Sequence, residues 1–142
     1  MENNTAMKKY IGTKIAVIIG IILSIAILTF LFIYPVSYAR PRLEYISNKA
    51  EEGIMLASKE NYAGLAECIY DIADKFEETK EHLKLFYNNQ SVDDAVKDIC
   101  FAKQLIEHNV LEKDLFIECL SNIIADINYI FENDTLHWAT FF

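Results

Sequence analysis

The sequence predicts an all-α protein, with one N-terminal transmembrane helix followed by an antiparallel four-helix domain made of two helical hairpins. Three observations predict it. The stretch Ile15 to Tyr34 carries no charge over 20 residues. Beyond it, apolar residues recur at three- and four-residue spacing, and no useful length alternates with period two, so no sheet is expected. No proline follows Pro41 to interrupt those helices.

The uncharged run comes first. As a helix rising about 1.5 Å per residue it spans roughly 30 Å, the hydrocarbon thickness of a bilayer. Only Gly20, Ser24 and Thr29 dilute it, so a soluble helix of this composition would have no polar face for water. Lys8, Lys9 and Lys14 precede it; Tyr34, Pro35, Tyr38, Arg40 and Arg42 follow and supply interfacial anchors. The rival is a cleaved signal peptide, with Ser37-Tyr38-Ala39 as its cleavage site. The apolar core of a signal peptide is about 7–15 residues, shorter than this run, which favours a retained anchor. Within the span Gly12, Ala16, Gly20 and Ser24 recur every fourth residue on one face. Small residues in that register let two helices approach closely, so this face is expected to pack against another span. The bland alternative is that small residues are common in membrane helices.

Charge is divided along the chain. Up to Arg42 there are five basic residues and Glu2; from Leu43 onward there are eight lysines, no arginine and 20 acids. An acidic domain without arginine is poorly suited to phosphate backbones, which argues against nucleic acid as a partner. Three lysines before the span against two arginines after it give a weak positive-inside bias. The expected orientation is a cytoplasmic N-terminus and an extracytoplasmic helical domain at the cell membrane.

The organisation read from the sequence is an N-terminal tail (1–14), the transmembrane helix (15–34), a juxtamembrane linker (35–42), an acidic helical domain (43–134) and an aromatic tail (135–142). Leu43, Ile46, Ala50, Gly53 and Ala57 mark one face of the first domain helix, which Asn61 ends. Tyr62, Leu65, Ile69, Ile72, Phe76, Leu83 and Phe86 mark the second. Its charged part, Asp74 to Lys84, is expected to hold as helix through Glu77–Lys80 and Glu81–Lys84 pairs. Asn88-Asn89-Gln90 reads as a turn, with Ser91 as N-cap and Asp94 three residues on. Val92, Ala95, Ile99, Ala102 and Ile106 mark the third helix, with Asn109 at its C-terminal end. Leu115, Phe116, Cys119, Leu120, Ile123, Ile127, Ile130 and Phe131 mark the fourth, which Asn133-Asp134 is expected to stop. Glu67-Cys68-Ile69 and Glu118-Cys119-Leu120 lie 51 residues apart, a faint internal repeat that suits two stacked hairpins. The tail concentrates Leu136, Trp138, Phe141 and Phe142 in seven residues. Chain ends are usually polar, so these side chains are expected either to fold back on the core or to dock on a partner or the membrane interface.

Reactive chemistry is sparse. Cys68, Cys100 and Cys119 form no C-x-x-C motif, and each falls beside an apolar stripe. Three buried thiols are expected, with one disulfide and a spare thiol as the alternative in an oxidising compartment. Glu78 and His82 share a helical face, but no third ligand has suitable spacing, so no metal site is expected. No Ser/His/Asp order and no carboxylate pair stands out. Four glycines leave no phosphate-cradling loop. Neither a cofactor nor a small-molecule substrate is indicated.

Lys59-Glu60-Asn61-Tyr62 gives an acidic turn and then an aromatic. His82-Leu83-Lys84-Leu85-Phe86 is followed by Ser91-Val92-Asp93-Asp94, and the chain closes with Phe131-Glu132-Asn133-Asp134-Thr135-Leu136 and terminal aromatics. In these three stretches the sequence resembles the domain-of-unknown-function 4363 family, small membrane-anchored helical proteins of spore-forming Gram-positive bacteria. The resemblance covers almost the whole chain. It implies a helical domain behind a membrane anchor and a membrane partner, and carries no enzymatic activity over. The ending from His137 to Phe142 is more aromatic than the family pattern, and three cysteines depart from it. Residues and resemblance lead to one expectation: a non-enzymatic, single-pass interaction or accessory subunit that binds another integral membrane protein or a second copy of itself. The alternative is an extracytoplasmic ligand-sensing domain.

Overall fold

The computed structural model describes the backbone of residues 2–139 and the side chains of residues 14–132 other than 32, 35 and 36. Every element among them is helical: α1 (Glu2–Tyr34), a π-helical turn (Pro35–Ala39), α2 (Arg40–Ser58), α3 (Tyr62–Phe86), α4 (Asn89–Glu107) and α5 (Lys113–Ala139). The chain divides between Ser37 and Tyr38 into two compact units.

The first unit is dominated by α1. Its window Lys14–Leu31 is long and apolar enough to cross a membrane, and none of it is buried. Two hydroxyls in this window close on the backbone of their own helix: Ser24 Oγ donates to Gly20 O at 2.9 Å and Thr29 Oγ1 to Ile25 O at 2.8 Å. Such back-bonding satisfies a hydroxyl within its own helix.

The second unit is a bundle. α2 packs on α3 and α5, and α4 packs on the same two helices. Leu43, Ile46, Ala50, Gly53 and Ala57 are all buried, as the spacing predicts, and so are Leu65, Ile69, Ile72, Phe76 and Leu83 of α3. Phe116, Cys119, Leu120, Ile123, Ile127 and Ile130 carry α5 into the same core. In α4 the stripe ends on Leu105 rather than Ile106, which is only partly buried. Phe116 reaches across the bundle to Tyr62, with ring centroids 6.3 Å apart.

Several local expectations shift. The juxtamembrane linker 35–42 is helical. Pro41 sits in the first turn of α2, directly after the π-helical turn, and the irregular turn before it accommodates a residue that cannot donate a backbone hydrogen bond. α4 starts three residues earlier than expected: Asn88, in an extended conformation, caps it by accepting from the Gln90 N–H at 2.9 Å, and Ser91 is buried inside the helix. Asn133-Asp134 does not stop α5, which runs on to Ala139; Asn and Asp cost a helix only a few tenths of a kcal/mol each, far less than proline. Glu77 pairs with Lys80 at 2.6 Å as expected, but Lys84 turns to Asp93 of α4 at 2.7 Å rather than to Glu81.

The repeat suggested by two tripeptides extends through the whole second unit. α4 begins and ends 49 positions after α2, and α5 begins 51 after α3. Leu65, Cys68, Ile69, Ile72, Phe76 and Thr79 are buried, and so are Phe116, Cys119, Leu120, Ile123, Ile127 and Ile130, each 51 further on. Both helix ends are built alike. Glu60 (φ 56°) and Asn109 (φ 53°) are left-handed. Asn61 N donates to Leu56 O at 2.9 Å and Val110 N to Leu105 O at 2.8 Å; Glu60 N donates to Ala57 O and Asn109 N to Ile106 O, both at 3.0 Å. That pair of bonds is the Schellman closure, which satisfies carbonyls left over at a helix C-terminus.

Candidate functional site

The thiols follow the repeat. Cys68 Sγ donates to Lys49 O and Cys119 Sγ to Asp98 O, each at 3.0 Å, so each thiol ties one helix of a pair to the backbone of the other. Burial pushes Cys68 up to about 11 and Cys119 up to about 12. Cys100 corrects the expectation of three buried thiols: it lies on the exposed side of α4. All three are free, so the structure pairs none of them. Thiolate is the reacting species, and a rise of two to three units cuts its fraction roughly 10²–10³-fold. A maleimide applied to the native, detergent-solubilised chain should therefore label Cys100 and spare the other two until the domain unfolds. Uptake of a native label by the Cys100→Ala variant would contradict that burial.

The histidines do not gather. His82 is exposed and meets the Tyr38 ring edge-on at 5.5 Å; His108 follows the last turn of α4; the side chain of His137 lies outside the described residues. Among those residues no three His, Cys, Asp or Glu converge to hold a metal ion. In the membrane face, Ala16, Gly20 and Ser24 are exposed, and a methyl added to Gly20 would meet nothing within 4 Å. The side chain position of Gly12 lies outside the described residues, as do the side chains of Leu136 and Trp138 and the whole of Phe141 and Phe142. The helical backbone of α5 nevertheless carries the tail as far as Ala139.

A polar concavity lies where α4 and α5 meet. It holds about 320 Å³ and is lined by Asn88, Gln90, Ser91, Asp94, Asp126 and Tyr129. Asp126 Oδ2 is buried and no donor reaches it. The Asp98 carboxyl stands within hydrogen-bonding reach of Asp126. Burial first, then the charges of Asp98 and Asp94, push Asp126 up to about 6; burial also raises Asp98. This is a carboxyl pair that the sequence reading passed over. Its signal was Asp126, three residues after Ile123 and one before Ile127, against the edge of an apolar stripe.

The repeat places a second, smaller concavity of about 170 Å³ at the matching point of α2 and α3. Its lining residues Pro41, Arg42, Tyr45 and Lys75 correspond to Gln90, Ser91, Asp94 and Asp126. One is basic and the other acidic. In the basic one Arg42 stacks on the Tyr38 ring at 3.6 Å and donates to Tyr38 O, while Tyr45 Oη donates to Asp71 at 2.6 Å.

No family model, no curated protein and no solved structure matches this chain.

Proposed function

We propose that the chain is a single-pass membrane protein whose helical domain is a non-catalytic interaction or accessory module, bound to another integral membrane protein or to a second copy of itself. The observation that carries the reading is the window Lys14–Leu31, a helix of membrane-spanning length with none of its apolar surface buried. Eighteen such residues in water are strongly unfavourable, since each buried CH₂ is worth about 0.8 kcal/mol; lipid and a partner helix remove that surface from water. The domain behind it is an antiparallel four-helix bundle of two helical hairpins, a topology that short connections favour. The lysines before the span favour a cytoplasmic N-terminus and an extracytoplasmic bundle. The likeness to the domain-of-unknown-function 4363 family points the same way.

Gly12, Ala16, Gly20 and Ser24 are the packing face. Gly20→Ile is the direct test, because isoleucine preserves insertion while its branch fills the close approach. Association in a membrane two-hybrid assay should fall with insertion intact; an unchanged signal would remove the face from the proposal. For the module as a whole, native membranes solubilised in mild detergent should yield the chain with a stoichiometric companion. Recovery of the chain alone as a monomer would count against it.

A second reading, an extracytoplasmic ligand-sensing domain, draws support from the 320 Å³ concavity with its convergent polar groups. It predicts a ligand-dependent rise in melting temperature that alanine at Asn88 and Tyr129 abolishes.

A further inference from the structure

We propose that the cleft between α2 and α3 at Arg42 is a phospholipid-binding site, in which the guanidinium takes the phosphodiester and the apolar walls take the carbons next to it. The proposal rests on the reading of α1 as a membrane span.

Arg42 sets this cleft apart. The chain has two arginines. Arg40 is held by Glu44 at 2.9 Å, and near the cleft Lys49 is held by Glu52 at 2.7 Å and Lys75 by Glu78 at 3.0 Å. Arg42 pairs with no carboxylate among the described residues, although 20 acids follow from Leu43 onward. It is half-buried, its Cζ lies 3.6 Å from the centre of the Tyr38 ring, and Nη1 donates to Tyr38 O at 3.2 Å. The ring fixes the plane of the guanidinium and leaves the rest of its fork of donors for an anion. That fork matches two phosphate oxygens at once.

The walls decide which phosphate. Pro41, Tyr45 and the stems of Arg42 and Lys75 line the cleft, and its surface is almost wholly carbon. The Tyr45 hydroxyl donates to Asp71 at 2.6 Å. A free phosphate ion would lose water to such walls without gaining a hydrogen bond from them. A phosphodiester attached to glyceryl and acyl carbon gains from both parts. The volume, about 170 Å³, is below the roughly 300–1,000 Å³ of pockets that enclose a small ligand, so the cleft holds part of a molecule whose remainder lies outside. Pro41 follows Tyr34, the last residue of the uncharged run, by seven residues. That is roughly 10 Å along a helix, and connectivity alone keeps the cleft within reach of a headgroup layer. Leu85, three residues past the His82 that meets Tyr38, is 74% exposed, more than any apolar side chain of the span. It gives this end of the bundle a second apolar surface. The net charge of the domain opposes an anionic membrane, which makes a zwitterionic lipid the partner.

The repeat supplies an internal control. The matching cleft of α4 and α5 has Gln90, Ser91, Asp94 and Asp126 at the same four positions. With no arginine and two carboxylates, that lining repels a phosphate.

The test uses the full chain with isotope-labelled arginine, in bilayers of phosphatidylcholine made without phosphate buffer, so that every phosphorus nucleus belongs to a lipid. Carbon–phosphorus dephasing in solid-state NMR should be strong at Arg42 Cζ and weak at Arg40 Cζ, which Glu44 holds. Lys75→Glu puts a carboxylate into the cleft lining and should abolish the dephasing at Arg42. Contacts of Ile22 with acyl chains, read in the same bilayers, report on the span. Ile22 in contact with acyl chains but no dephasing at Arg42, equal dephasing at both arginines, or dephasing that Lys75→Glu leaves intact would each overturn the site and leave the span reading standing. Ile22 out of contact with acyl chains would overturn the span reading, and the site with it. In a phosphorus-free detergent, inorganic phosphate should leave the Arg42 Nε–Hε resonance in place; a saturating shift would assign the cleft to a soluble phosphate compound and overturn the lipid. If Lys75→Glu does not fold, the wild-type contrast between the two arginines decides.

Discussion

Phe116→Ala is expected to cost the domain about 3–5 kcal/mol, most of the reserve of a small domain. Phe116 is fully buried in the first turn of α5. Its ring meets Tyr62, at the start of α3, across the bundle rather than along one helix pair. Truncation removes the transfer free energy of the ring and leaves a void in the core that the surrounding helices fill only in part. Circular dichroism of the solubilised chain is the measurement. α1 should hold its helix in the micelle and form a constant background, while the bundle's transition drops by roughly 15–30 °C. Phe116→Leu, which keeps most of the volume, should lose far less. A Phe116→Ala transition within a few degrees of wild type would mean that the two halves do not share one core.

Gly53→Leu is expected to be the second most damaging change, for the opposite reason. At Gly53 α2 comes close to both neighbours: an added Cβ would lie 2.9 Å from Leu120 Cδ1 and 3.4 Å from Cys68 Sγ. Alanine asks only that a terminal methyl of Leu120 shift, and it regains about 1 kcal/mol of helix propensity, so Gly53→Ala should be close to neutral. Leucine forces three further carbons into filled space, at about 1–3 kcal/mol, or more if the backbones must part. The matching residue of the other pair is Ala102, buried at 1% exposure, which shows that a methyl fits this position. A Gly53→Leu chain that melts with wild type would show that α2 and α5 are free to separate there.

The apolar stripes of the sequence located the core well, because burial on a helix leaves a period that each helix carries alone. Leu43 through Ala57 and Leu65 through Leu83 were legible for that reason. What the sequence left obscure depended on neighbours. Asn88 was one of three polar residues in a turn, and only its extended backbone makes it the cap. Lys84 had Glu81 within helical reach, and only the packing of α4 on α3 presents Asp93 instead. Asp98 and Asp126 lie 28 residues apart, and nothing local to either announces the other. Their meeting depends on the register of α5 against α4, which the 49- and 51-residue offsets express but two matching tripeptides could not establish. The long apolar helix was legible from composition alone, since no charge interrupts it from Ile15 to Tyr34.

The closure of the bundle through α5 bears on the order in which the chain becomes secure. α3 can settle on α2, and α4 on α3, as each leaves the ribosome. α2, the first helix of the domain to be made, has its other side covered only by α5, the last of the five. Until α5 arrives, an open strip of apolar surface on α2, including the Gly53 face, stands uncovered. A pause in translation before Lys113 would prolong that interval, and the growing chain would then be at its most vulnerable to mispairing and to quality-control proteases.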